Sequence, residues 1–323
     1  MKKNTDTSFK VFSGTSHPEL SEKIAKKLGI TLGEVEHIRF QNGEVKIFPL
    51  ETVRGKDIFI IQTARTGSVD ADLMELFVFI DAMRRAAAGR ICAIIPFLPY
   101  MRQDRKTKAR EPITGRLVAD LLKAAGADYV LTMTLHSDQE QGFFSTYCDN
   151  KSTKSLFIDY VKKNKMNDPK KFKVVAPDLG GVAKAGKFAE SIGLDFAIVN
   201  KRRHSAKQET TPMHLVGDVT GMTCIMYDDM IDTAGTACEA AKFLKDKGAK
   251  DVYMMATHGI FSGAAIERLK NSEFKKVVVT DTIPVPKEKH FKQLEILSVA
   301  GELADSIMGI HNSSSVKNLV EHP

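Results

Sequence analysis

Short apolar, β-branched runs alternate with segments of helical period along almost the whole chain, and that rhythm leaves few folds open. In the first half Ile58–Ile61, Ile91–Pro96 and Tyr129–Leu135 read as strands. Between them, Asp72–Ala88 carries Leu73, Leu76, Phe77, Ile80 and Met83 on one helical face, with Gly89 set to close the helix, and Gly115–Ala125 forms a second helix. The second half repeats the pattern. Phe172–Ala176, Asp195–Val199, Thr223–Tyr227, Asp251–Ala256 and Lys276–Thr280 read as strands, and Val182–Ile192, Ala237–Lys247 and Leu297–His311 as helices. Strands spaced by helices predict an α/β chain with mainly parallel sheets built from right-handed βαβ units. One segment departs from the rule: Asn42-Gly43, between the β-prone runs of Val35–Pro49, predicts a hairpin.

A length of 323 residues suggests two domains. The polar stretch Asn150–Lys173 offers the boundary, giving an N-terminal domain over 1–150 and a C-terminal domain over 151–323. Hydrophobic residues at 43% argue for folded cores and against disorder. The net charge of +7 attracts polyanions, but the longest basic cluster, Lys201–Arg203, is too short for a nucleic-acid-binding tail. Phosphorylated metabolites are the better match, with no nucleic acid and no membrane as partners. The four cysteines form no C-x-x-C pair, the N-terminus lacks a signal-peptide core, and no run approaches about 18 apolar residues. Together these predict reduced thiols and a cytoplasmic location.

In open α/β sheets ligands bind beyond the carboxyl ends of the strands, so polar residues following apolar strands carry the functional signal. The strongest such segment is Thr223–Thr236. A strand runs into Asp228, Asp229, Asp232, Thr233, Ala234, Gly235 and Thr236, and a helix opens at Ala237. The backbone N–H groups of Thr233–Thr236 suit a phosphate at the helix start, and the acids suit the vicinal hydroxyls of a sugar. A capping Asp with an ordinary loop is the plain alternative. A G-x-G-x-x-G fingerprint and a Walker loop are both missing, so a nucleotide must be held by another device. Asp178-Leu179-Gly180-Gly181 follows a second strand and suits a pyrophosphate or its metal, or merely a capped tight turn. His136 ends a third strand, where a lone histidine is often a satisfied polar residue. Arg102, Gln103 and Arg105, followed by Lys106, Lys108 and Arg110, offer cations to a polyphosphate or form an exposed basic loop. Lys201-Arg202-Arg203, followed by a polar run to Pro212, suggests a mobile lid carrying cations.

These segments in this order resemble the ribose-phosphate pyrophosphokinase (phosphoribosyl pyrophosphate synthetase) family over nearly the whole chain. The resemblance is carried by Asn42–Glu44, Leu73–Leu76, Arg102–Arg105, Gln141–Phe144, Pro177–Gly181, Lys201–Arg203, Asp228–Thr236 and Ala256–Gly259. It implies two phosphoribosyltransferase-like domains, hexamers, magnesium as cofactor, and transfer of the pyrophosphoryl group of ATP to ribose 5-phosphate. By resemblance Arg102, Gln103 and the Asn42-Gly43-Glu44 hairpin of a neighbouring subunit contact ATP, while His136 and Asp178 hold magnesium. Asp228 and Asp232-Thr233-Ala234-Gly235-Thr236 hold ribose 5-phosphate. Lys201 and Arg203 act on the moving phosphate. The chain departs from the family pattern at Thr134, where an Asp is usual on what reads as the same strand face as His136. It departs again at His204–Ala206, Thr52, Ala87-Ala88 and the tail Ser315–Val320, which bear on metal binding and on the family's phosphate and ADP regulation. A phosphoribosyltransferase would share Asp228–Thr236 but has no use for the whole first domain; a non-catalytic homologue and a nucleic-acid-binding protein are the other rivals.

Overall fold

The computed structural model describes residues 8–201 and 213–316, and of Lys201 only the backbone. The chain divides into two compact units, Met1–Ser152 with Thr282–Pro284 and Ser298–Pro323, and Thr153–Asp281 with Val285–Leu297. The chain therefore passes from the first unit to the second near residue 152 and returns for its last helix.

The first unit is built on a five-stranded, wholly parallel sheet. Its strands are β1 (Phe9–Ser13), β4 (Asp57–Ile61), β5 (Arg90–Ile95), β6 (Tyr129–Met133) and β7 (Tyr147–Lys151), in the order β1-β4-β5-β6-β7. A separate hairpin pairs β2 (Val35–Arg39) with β3 (Val45–Pro49), as Asn42-Gly43 predicts, with Gly43 at φ +90. The helices are α1 (Pro18–Leu28), α2 (Val69–Arg85), α3 (Thr114–Ala125) and, from the far end of the chain, α8 (Ala300–His311), which packs on α1. Apolar faces of α2 and α3, among them Leu76, Phe79, Ile80, Met83, Val118 and Leu122, bury against Ile58, Ile60, Ile91, Ala93 and Val130 of the sheet.

One helix end differs from expectation. The second helix stops at Arg85, and Ala87, at φ +61, makes the left-handed turn assigned to Gly89. Gly89 is needed for another reason: a Cβ there would lie 2.7 Å from the carbonyl oxygen of Gly55. The glycine marks a close backbone approach rather than a helix cap.

The second unit holds a seven-stranded sheet ordered β10-β9-β8-β11-β12-β13-β14. These strands are β8 (Phe172–Ala176), β9 (Phe196–Lys201), β10 (Met213–Val216), β11 (Thr223–Ile231), β12 (Asp251–Gly259), β13 (Phe274–Thr280) and β14 (Leu294–Leu297). All neighbours are parallel except the edge pair β9-β10. Helices α4 (Lys154–Lys163), α5 (Val182–Ile192), α6 (Gly235–Asp246) and α7 (Ala265–Lys270) flank it. The central strands are buried on both faces. Cys224 and Met226 face a core with Ala240, Ala241 and Leu244 of α6, and Ile225 and Tyr227 face one with Phe188 and Ala189 of α5. The expected last helix begins three residues late, because Leu294–Leu297 instead pairs with β13.

Both units are thus α/β, with mainly parallel sheets and helices, as the rhythm predicts. Among the described residues no helix is long and apolar enough to cross a membrane. All four cysteines are free thiols, and burial pushes those of Cys92, Cys148 and Cys224 up to about 12, far from thiolate chemistry.

Candidate active site

Strand β11 lies between β8 and β12 in the middle of its sheet, so its carboxyl end opens on the edge where ligands bind. The strand runs four residues beyond the expected Tyr227, and Asp228 and Asp229 lie on it rather than in the loop. Asp229 is 4% exposed and its Oδ2 lies 3.3 Å from Lys184 Nζ, on the first turn of α5. Asp228 is half-buried, and its Oδ1 accepts the Asp229 N–H at 2.8 Å. Burial, with the carboxylate of Asp229 beside it and that of Asp178 beyond, pushes the Asp228 carboxyl well above the usual carboxylate range. Two adjacent carboxylates thus stand at the end of β11, with the field of Asp178, past the end of β8, added to theirs. Such a concentration of negative charge suits hydroxyl donors or a cation.

The helix opens at Gly235, two residues earlier than the hydrophobic period suggests. Ala234 is its N-cap, left-handed at φ 60 and ψ 0, and no side chain caps the helix. The first intrahelical bond is Cys238 N–H to Ala234 O at 2.9 Å, so the N–H groups of Gly235, Thr236 and Ala237 have no helical partner. They meet the positive end of the helix dipole, which favours an anion. Thr233 is exposed, and Gly235 and Thr236 are half-buried, which leaves the turn open to solvent. Asp232 is tied to Ser262: its carboxylate accepts from Ser262 Oγ, and its carbonyl accepts Ser262 N–H at 3.1 Å.

Asp178 is exposed, and its Oδ1 accepts the Gly181 N–H at 2.9 Å. The carboxylate thus caps a tight turn, one of the two alternatives open in the sequence. Lys184 escapes a reading by motif, although a lysine in the first turn of a helix opposes the dipole and signals a nearby anion.

In the first unit, Asn42, Gly43 and Glu44 form the exposed tip of the β2-β3 hairpin. Asn42 Oδ1 accepts the Glu44 N–H at 3.1 Å, and Arg39 Nη1 donates to Gly43 O at 2.9 Å. The hairpin is anchored at Glu75, 2% exposed, which accepts from Thr15 N–H and Oγ1 at 2.8 and 2.7 Å and from Gln62 Nε2 at 3.1 Å. Arg39 Nη2 reaches the same carboxylate at 3.5 Å. Arg102 and Gln103 are exposed on the segment before α3, where Gln103 Oε1 accepts Thr114 Oγ1 at 2.7 Å. His136 is half-buried three residues past β6, on a segment tied to β7 by Thr134 N–H to Lys151 O at 3.0 Å and Leu135 N–H to Asn150 Oδ1 at 3.0 Å.

Thr134 does not share a strand face with His136. The strand ends at Met133, and Thr134 is left-handed at φ 48, which breaks the alternation. His136 and Asp178 belong to different units. Among the described residues no three His, Cys, Asp or Glu side chains are grouped to hold a metal ion. Lys201 is the last residue of β9, and Arg203 lies outside the described residues. The departures at His204–Ala206 lie there too.

A parallel sheet whose central strand ends in paired acids and an uncapped helix start defines an α/β protein of the kind that holds a phosphorylated, hydroxyl-bearing ligand. A family model for the N-terminal domain of ribose phosphate pyrophosphokinase matches residues 9–126, and one for a phosphoribosyl synthetase-associated domain matches residues 199–321. Ribose-phosphate pyrophosphokinase of Clostridium perfringens is 46% identical over 318 residues, 98% of this chain and 99% of its own. Ribose-phosphate pyrophosphokinase 2 of Schizosaccharomyces pombe is 45% identical over 313 residues, 97% of each chain. The crystal structure of phosphoribosylpyrophosphate synthetase from Mycobacterium smegmatis matches with a TM-score of 0.90 at 41% identity, covering 95% of this chain and all of that one. The chain belongs to the ribose-phosphate pyrophosphokinase family.

Proposed function

We propose that the chain transfers the β,γ-pyrophosphoryl group of ATP to the anomeric hydroxyl of ribose 5-phosphate, giving phosphoribosyl pyrophosphate and AMP for nucleotide synthesis. The anomeric oxygen bonds to the β-phosphorus, the bond from that phosphorus to the oxygen bridging to the α-phosphate breaks, and AMP departs with that oxygen. The hydroxyl proton is released. The observation that carries the reading is the uncapped start of α6 directly after Asp228 and Asp229, an anion cradle beside acceptors for sugar hydroxyls.

In this reading the N–H groups and hydroxyls of Thr233–Thr236 hold the 5-phosphate, with Asp232 shaping the turn. Asp228 accepts from ribose hydroxyls. Its raised proton affinity comes first from burial and then from the neighbouring Asp229 carboxylate, and hydroxyl donors or a cation would offset it. Arg102 and Gln103, with Asn42, Gly43 and Glu44 supplied by a neighbouring subunit of a hexamer, hold ATP. Lys201 and Arg203 meet the charge that develops on the transferred phosphoryl oxygens. Positioning and cations then supply most of the rate.

The residues fit magnesium as a cofactor. Magnesium is usually bound through one or two carboxylates and substrate phosphates rather than in an all-protein cage, and Asp178 offers such a hard oxygen donor. By family resemblance His136 is the other residue proposed to hold the ion. When bound, the ion neutralises phosphate charge. The cytoplasm, which supplies both substrates, is the proposed location.

Purified protein given ATP, magnesium and ribose 5-phosphate, with no nucleobase, tests the reading. AMP and phosphoribosyl pyrophosphate in equal amounts support it. Absence of AMP across a range of phosphate and magnesium concentrations rejects it.

A further inference from the structure

The turn after β11 is braced from one side. Ile260 and Phe261 both donate backbone N–H bonds to Ile231 O, at 3.0 and 3.1 Å, and Ser262 N–H donates to Asp232 O at 3.1 Å. Arg268, on α7, completes the series: its Nη1 donates to Thr233 O at 2.8 Å. Three successive carbonyls are thus captured by one neighbouring stretch of chain. In a trans peptide the C=O and the following N–H point in opposite directions. Holding Thr233 O toward Arg268 therefore aims the Ala234 N–H the other way. Ala234 needs such a hold, because a left-handed conformation at φ 60 disfavours a residue with a Cβ. The guanidinium also sits close behind the next residue, with Nη1 3.7 Å from where a Cβ on Gly235 would stand.

We infer that Arg268 is a positioning residue for ribose 5-phosphate: it fixes the 233–234 peptide so that the turn is formed before the phosphate arrives. The inference rests on the proposed reading of this turn as the phosphate cradle. Arg268 acts through Thr233 and takes no part in pyrophosphoryl transfer, so its loss should appear in sugar-phosphate affinity alone.

The test uses the full chain, with Arg268→Ala, Arg268→Lys and, as a reporter of the cradle itself, Thr236→Val. Binding of ribose 5-phosphate and of ATP is measured by calorimetry, alongside steady-state kinetics and thermal melts. For Arg268→Ala we expect the ribose 5-phosphate Kd and KM to rise about 10- to 100-fold, as for loss of one charge-assisted hydrogen bond. The KM for ATP, kcat at saturating ribose 5-phosphate and the melting temperature should hold, and Arg268→Lys should recover part of the loss. Unchanged ribose 5-phosphate affinity in Arg268→Ala, while Thr236→Val weakens it, overturns the inference and leaves the cradle standing. A wild-type protein without affinity for ribose 5-phosphate overturns both. If Arg268→Ala melts early and loses both substrates together, Arg268→Lys decides: partial sugar-phosphate affinity at normal ATP affinity supports the inference, and parallel loss of both rejects it.

Discussion

His311 Nδ1 lies 2.7 Å from Asp57 Oδ2, joining residues 254 positions apart in the chain. The contact is one member of a network. His311 Nε2 lies 3.1 Å from Ser8 Oγ, its ring packs 4.7 Å from that of Phe9, and Arg90 both pairs with Asp57 and donates to Ile310 O at 3.0 Å. The end of α8 is thereby bolted to the start of β1, β4 and β5, which explains why the last helix belongs with the first strands. His311→Ala should destabilise the first unit by about 1–2 kcal/mol, since it leaves part of the half-buried Asp57 bonding unmade. Thermal or urea unfolding checks this; an unchanged midpoint would show that the network carries no net stability.

Asp228 ties stability to function with opposite signs. Its folded-state proton affinity is raised, so between the ordinary carboxylate value and the raised one the native state binds more protons than the unfolded chain. Stability conferred on the protonated form is present at low pH and is lost as pH rises through that window. Asp228→Asn removes this dependence. The variant should unfold later than wild type at neutral pH, with the gap closing as pH falls toward about 4. It should also weaken ribose 5-phosphate binding by about 10-fold or more, because a neutral amide accepts hydroxyls less strongly. Melting curves across pH and calorimetry with the sugar phosphate separate the two effects.

Thr134 carries backbone strain. A β-branched residue at φ 48 is rare, and the left-handed region costs such a residue about 1–2 kcal/mol. Asparagine tolerates that region. Thr134→Asn should therefore stabilise the first unit by about 1 kcal/mol, read as a higher unfolding midpoint. A lower midpoint would mean that the threonine side chain contributes more than the strain costs.

In the proposed reading Lys201 acts on the transition state rather than on binding. Lys201→Ala should lower kcat by about 10²- to 10⁵-fold, on the scale of oxyanion donors and arginine fingers, while ribose 5-phosphate and ATP still bind. Single-turnover kinetics with both substrates saturating measure it. Near-normal turnover would remove the lysine from the chemistry.

Much of the site was legible because its signals are local. Asp228–Thr236 reads as an acid pair followed by a small-residue helix start, and the structure keeps that order while moving the strand's end to Ile231 and the helix's start to Gly235. The later strand end has a tertiary cause. The continued pairing of β11 with β12, up to Ile231 beside Gly259, is a tertiary fact that hydrophobic period does not encode. Lys184 left a faint trace as a cation at the wrong end of a dipole. Arg268 left none, since nothing near it in the chain hints that it meets Thr233.

The sequence by itself determined the alternation of strand and helix, the Asn42-Gly43 hairpin and the order of acids and small residues that follows the apolar run of β11, because side-chain period and turn chemistry act over a few residues. Only the tertiary structure decided that α8 returns to the first unit, that β14 extends the second sheet, that Ala87, Thr134 and Ala234 take left-handed turns, and that Gly89 is needed for Gly55. Each depends on a partner distant in sequence, and a contact between distant segments is settled by packing and hydrogen bonding of the whole, not by local preference.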